Sequence, residues 1–147
     1  MTNSNSAHPK NYPSVTLEEI ESNIGSEHYF TGSDGIWGAY KNNNDVRMEQ
    51  YKPDHAVSTS IEALGLLTFC VIVLRNGFTV IGESACVSPE NFNAEKGREV
   101  ARKNAIEKMW PLMGYALKTK LSEERERAER RPDPADGAPN PGVRFYG

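Results

Sequence analysis

The sequence predicts an α+β fold: a central antiparallel β-hairpin packed against C-terminal helices, with a short N-terminal helix at an edge. Three observations lead there. Residues 67–75 and 78–85 are two apolar runs joined by Asn76-Gly77, the pair favoured by a two-residue type I′ turn. Ala94, Gly97, Ala101 and Ala105 recur at spacings of three and four, the period of one helix face. Thr16-Leu17-Glu18-Glu19 has the pattern of a reciprocal helix cap, in which Thr16 and Glu19 satisfy each other's amides.

The capped segment places Leu17, Ile20 and Ile24 on one face and stops at Gly25. A helix of about two turns is unstable alone, so it must dock on the core. His28, Tyr29 and Phe30 then form an aromatic cluster, followed by turn residues Gly32, Asp34 and Gly35. The stretch to Pro53 is too long for a structureless loop. It reads as a short strand, a helical turn or a functional loop; residues 36–58 are the candidate for a third strand beside the hairpin, and Trp37 and Tyr40 are read as loop residues.

A type I′ turn sets Val73 opposite Val80, Val71 opposite Gly82 and Phe69 opposite Ser84. On the other face it sets Leu74 opposite Thr79, Ile72 opposite Ile81 and Cys70 opposite Glu83. Both faces are then apolar, unlike a hairpin with one solvated side. Helices should cover one, and the remaining face leads us to expect a homo-oligomer.

Ser88-Pro89 begins a tight turn, and Asn93 offers a cap for a helix from Ala94 to Trp110. Its small-residue stripe reads as close packing on the hairpin. Glu95, Glu99, Arg102 and Lys103 point away from that stripe, with Arg98 flanking it. Trp110-Pro111 is expected to break the helix, which resumes over residues 112–121 with Met113, Leu117 and Leu121 on one face. The domain organisation is therefore a flexible leader over 1–14, a single α+β domain over 15–121, and a charged helix extension with a Pro/Gly-rich tail over 122–147.

Composition narrows the function. The net charge is −3, and no basic stripe is present, which argues against nucleic acid as a partner. The two cysteines, Cys70 and Cys86, are too few for a disulfide scaffold and read as reduced thiols. The first 13 residues lack the apolar stretch of a signal peptide, and no apolar run approaches the ~20 residues that span a bilayer. The expected location is the cytoplasm, with no membrane association. No metal-ligand spacing, phosphate loop or nucleophile motif occurs, so no metal, cofactor or catalytic residue is expected. Cys86 and His28 are the one conceivable nucleophile–base pair, and nothing in the sequence brings them together.

Two segments, VTLEEIESNIGSEHYFTGSDG from Val15 and TFCVIVLRNGFTVIGESACVSPENFNAEKGREVARKNAIEKMWPLMGYALKTKL from Thr68, carry a family likeness. Asn76-Gly77-Phe78, Gly82-Glu83-Ser84 and Ser88-Pro89-Glu90-Asn91-Phe92 are its most specific blocks. The chain resembles a family of tailed-phage accessory proteins known by gene position, gene product 49 of a lytic coliphage and gene 66 of a Shigella phage. The resemblance implies a phage or prophage origin and carries over no catalytic residues.

The candidate binding surface comprises His28, Tyr29, Phe30, Trp37, Tyr40, Glu83 and Arg98. Glu83, placed among Ile72 and Ile81, needs a partner if partly buried, and Arg98 is the candidate. Aromatic residues such as Trp37 and Tyr40 favour interaction hot spots. The expectation is a non-enzymatic protein that binds a host or phage protein, to redirect the host or blunt a defence, in the host cytoplasm. The alternatives are a small-ligand protein that sequesters a nucleotide or signalling molecule, and an enzyme of unrecognised type.

Overall fold

The computed structural model describes residues 12–42 and 55–132. The expected leader and tail fall largely outside these residues. The elements run α1 (Leu17–Ser22), β1 (Ile24–Thr31), α2 (Gly32–Asn42), α3 (His55–Gly65), β2 (Leu67–Leu74), β3 (Thr79–Ala85), a 3₁₀ turn (Pro89–Asn91) and α4 (Ala94–Glu129). The fold is α+β, with the three strands forming one antiparallel sheet in the order β1-β2-β3.

The expected caps form. Glu19 N–H donates to Thr16 Oγ1 at 3.2 Å, and Thr16 N–H donates to Glu19 Oε2 at 2.9 Å. Asn93 caps α4 by accepting from Lys96 N–H at 3.1 Å. The third strand, however, is Ile24–Thr31, which carries the His28-Tyr29-Phe30 cluster, and lies outside residues 36–58. The described parts of 36–58 belong to α2 and α3, so Trp37 and Tyr40 sit on a helix rather than in a loop. These two helices pack on each other between β1 and β2, where Gly32 lets the backbone close on Leu64.

The hairpin register differs by one residue from the expected pairing. Val73 faces Thr79, Ile72 faces Val80, Val71 faces Ile81, Cys70 faces Gly82 and Phe69 faces Glu83. The reason is the turn. A type I′ turn needs positive φ at both Asn76 and Gly77, but Gly77 alone has it, at +86°. Leu74 N–H bonds Phe78 O at 2.8 Å across a three-residue loop, and Phe78 N–H bonds Asn76 Oδ1 at 3.0 Å. The one-residue slip exchanges the faces of the second strand. Val80 joins Cys70, Ile72 and Leu74, while Ile81 and Glu83 join Phe69, Val71 and Val73. Gly77→Ala places a Cβ in this left-handed position and should cost about 1–2 kcal/mol, read by chemical denaturation.

The core lies between the sheet and α4. Cys70, Ile72, Leu74 and Val80 meet Ala101, Ala105 and Met109, with Ile20 of α1 closing the side. The small-residue stripe does pack on the sheet. A Cβ on Gly82 would lie 2.1 Å from Ala101 O and 2.3 Å from Ala105 N, so this glycine admits the helix backbone itself. Gly97 passes Thr68 in the same way, at 2.9 Å from its hydroxyl.

The helix does not break at Trp110-Pro111. It runs 36 residues with Pro111 inside it. Proline removes the N–H that would bond the Glu107 carbonyl, but both residues are exposed, so water can take that carbonyl. Met109 on one side and Leu112 and Met113 on the other anchor the helix against the core. At a rise of about 1.5 Å per residue the helix is about 54 Å long, roughly twice the length of an eight-residue strand. Its last turns, beyond Leu121, are exposed and carry the pairs Arg125–Glu129 and Glu126–Arg130.

Candidate functional site

Two surfaces gather most of the residues that the sequence singles out. The first is the sheet face turned away from α4. Antiparallel pairing puts His28 and Phe30 of β1, Phe69, Val71 and Val73 of β2, and Ile81 and Glu83 of β3 on this side. The Phe30 and Phe69 rings are 5.5 Å apart, and Gly35 of α2 lies against Phe30. Phe30 remains 38% exposed and Ile81 46% exposed. His28, whose Nε2 lies 3.0 Å from Ser26 Oγ, and Glu83 supply polar rims on opposite edges. Trp37 of α2 is also exposed.

Glu83 does not meet Arg98. Its carboxylate lies 3.3 Å from Lys108 Nζ, and the side chain is 55% exposed. The corrected register explains this: Glu83 leaves the α4 face and reaches round the sheet edge, and an exposed pair of this kind contributes ~0–1 kcal/mol.

The second surface lies at the head of α4. A cleft of about 180 Å³ is lined by Thr68, Ser84, Cys86, Asn91, Phe92 and Lys96, among others. A smaller cavity of about 50 Å³ adjoins it at Thr68 and Phe92 and brings Arg98 beside Tyr29, Phe30 and Asp34. Arg98 thus lines the same small cavity as Tyr29 and Phe30, without Glu83 or His28. The Cys86 thiol donates to Ser88 O at 3.2 Å, and no hydrogen bond joins it to His28, so the two form no nucleophile–base pair. Both cysteines are free.

Tyr29 turns to the α4 side and joins a polar cluster that sequence reasoning missed. Arg102 Nε donates to Glu27 Oε1 at 2.7 Å, and its Nη1 and Nη2 donate to Glu21 at 3.1 and 2.6 Å. The Tyr29 hydroxyl donates to Glu27 Oε2 at 3.3 Å. The fork of Arg102 therefore ties α1 and β1 to α4. The hydrogen bonds from Arg102 hold the Glu21 carboxyl below its ordinary range. Burial pushes the Tyr29 hydroxyl well above its own, and burial likewise raises the Cys70 thiol. This arrangement holds protons and charges in place, and its Tyr29 also lines the cavity of about 50 Å³ beside Arg98.

Comparison with known proteins adds the family and nothing finer. The family model described as Phage protein (N4 Gp49/phage Sf6 gene 66) family matches residues 15–121. No curated protein and no solved structure matches the chain. Among the described residues, no helix is long and apolar enough to cross a membrane. The match spans more than half of the chain, and the chain belongs to this phage protein family.

Proposed function

We propose that this phage protein acts by binding another protein, of host or phage origin, through the α4-free face of its sheet. One observation carries the reading. Five large apolar side chains, Phe30, Phe69, Val71, Val73 and Ile81, share a face whose polar residues stand at its edges. An apolar centre with a polar rim is the anatomy of a protein interface. The setting is the host cytoplasm, and the role is to redirect or disarm the captured protein rather than to transform a substrate.

Ile81→Lys tests this. The side chain is 46% exposed, so the substitution should shift stability by ~0.5 kcal/mol or less, as exposed sites usually do. Capture of a partner from host lysate, quantified against the wild type, should fall at least tenfold. Undiminished capture by the folded variant would refute the reading.

A second reading, a small anionic ligand such as a nucleotide, draws on the cleft at the head of α4. Lys96 and Arg98 flank Phe92 there, with the Thr68 and Ser84 hydroxyls nearby. Its volume of about 180 Å³ is below the ~300–1,000 Å³ of small-molecule sites, which is why the sheet face ranks first. A rise in melting temperature with nucleotides, absent in Lys96→Ala, would reverse the order.

A further inference from the structure

The two edges of the sheet are treated differently. On β3, pairing with β2 turns the backbone groups of Ile81 and Glu83 outward. Lys108 Nζ donates to Ile81 O at 2.7 Å, and Asn104 Nδ2 donates to Glu83 O at 2.8 Å. Two side chains of α4 thus occupy the carbonyls that a further strand would need. Such cover is how proteins keep an edge from pairing.

On β1 the outward backbone groups are those of Glu27 and Tyr29. The pairing of His28 with Val71 and Phe30 with Phe69 uses the alternate residues. No described group bonds the outward N–H or C=O of either residue. The free stretch is bounded. Thr31 N–H is taken by Asp34 Oδ2 at 3.0 Å, and a register irregularity lies between Ile24 and Ser26. A charged side chain would ordinarily guard such an edge, but the Glu27 carboxylate is drawn onto Arg102 at 2.7 Å.

We propose that β1 pairs antiparallel with β1 of a second copy, joining two sheets into one of six strands. Three symmetric registers centre on the free stretch itself. Centring on Glu27 sets two carboxylates opposite each other and calls on the irregular stretch at Gly25. Centring on Tyr29 needs the Thr31 N–H that Asp34 already holds. Centring on His28 sets Glu27 opposite Tyr29 of the second copy, twice, and uses the free groups alone. That register is self-complementary: Glu27 and Tyr29 of each copy supply and receive every bond, so the short free stretch is matched in length by its own copy. It also sets the two α4-free sheet faces side by side without using them, so it does not depend on the partner reading above and does not compete with it.

The geometry makes a sharp test. In this register His28 lies opposite His28 of the second copy as a non-hydrogen-bonded pair, with Cα atoms about 4.5 Å apart, within the range a disulfide spans. Residues 26 and 81 are too far from their own symmetry mates to bridge. Full-length His28→Cys, Ser26→Cys and Ile81→Cys are made in a Cys86→Ser background and oxidised with copper phenanthroline. The unmodified chain is run in parallel by sedimentation at about 50 µM, a concentration that detects micromolar pairing. The expected result is a two-chain species by sedimentation and a reducible cross-linked dimer that forms at least tenfold faster with His28→Cys than with the other two. A monomer by sedimentation overturns the proposal. So does cross-linking led by Ile81→Cys, which would show the open faces packed together, or by Ser26→Cys, which would show another register.

Discussion

Gly82→Ala is expected to be the most damaging single-methyl change in the domain. The new Cβ would stand 2.1 Å from Ala101 O, 2.3 Å from Ala105 N and 2.8 Å from Ala105 Cβ. Two of these are backbone atoms in the middle of a helix, so no rotamer change relieves the contact. Either α4 lifts from the sheet or β3 bends away, and both moves open the packing of Ile72, Val80 and Met109. Overpacking typically costs ~1–3 kcal/mol, and a clash against rigid backbone belongs at the top of that range or above it. Gly114→Ala is the matched control. Nothing lies within 4 Å of its Cβ, and the residue is inside α4. It should stabilise by about 0.5–1 kcal/mol through helix propensity. Urea denaturation of the pair should therefore move in opposite directions. Equal shifts would mean that α4 is not seated on Gly82.

Arg102→Met is the second large effect. It leaves Glu21 and Glu27 without their cation while keeping the length of the stem. Breaking a buried pair costs ~3–5 kcal/mol and an exposed one ~1 or less. The side chains here are 32% (Arg102), 43% (Glu21) and 27% (Glu27) exposed, so screening places the loss near 2 kcal/mol. Adding Glu27→Gln should recover part of it, because the neutral amide needs no counter-charge. The pH dependence has a definite sign. The Glu21 carboxyl titrates below its ordinary 4.5 in the folded chain. Its contribution is present above that ordinary value and is lost as pH falls through the depressed one. The variant lacks this contribution, so the stability gap to the wild type should narrow as pH drops below about 4.5. A gap that widens on acidification would contradict the assignment.

Local chemistry explains what could be read from the chain. The Thr16–Glu19 cap, the Asn93 start of α4 and its stripe of small residues each depend on side chains within one or two turns. The hairpin was legible in outline, but its register was not. Turn type depends on whether Asn76 adopts positive φ, and a three-residue loop with Gly77 alone in that region serves the same dipeptide. β1 gave little signal because Gly25, Ser26, Glu27 and His28 break the apolar alternation expected of a strand. Its place is set by pairing with β2, some forty residues away. The same holds for the site. Arg98, which flanks the packing stripe, lines a small cavity with Tyr29 and Phe30, whereas Glu83 changed faces with the register. The Arg102 cluster joins residues 75 and 81 positions apart, and no pattern in the chain marks such a pairing.

The central claim, that the α4-free sheet face captures another protein, is tested most directly by photo-crosslinking inside host cells. A photoreactive phenylalanine analogue at Ile81, on that face, is compared with one at Tyr115, which is 76% exposed on α4. The account predicts an adduct at Ile81 whose added mass matches a host or phage protein, with at most a tenth of that yield at Tyr115. Adducts led by Tyr115, or an Ile81 product containing this chain alone, would contradict it.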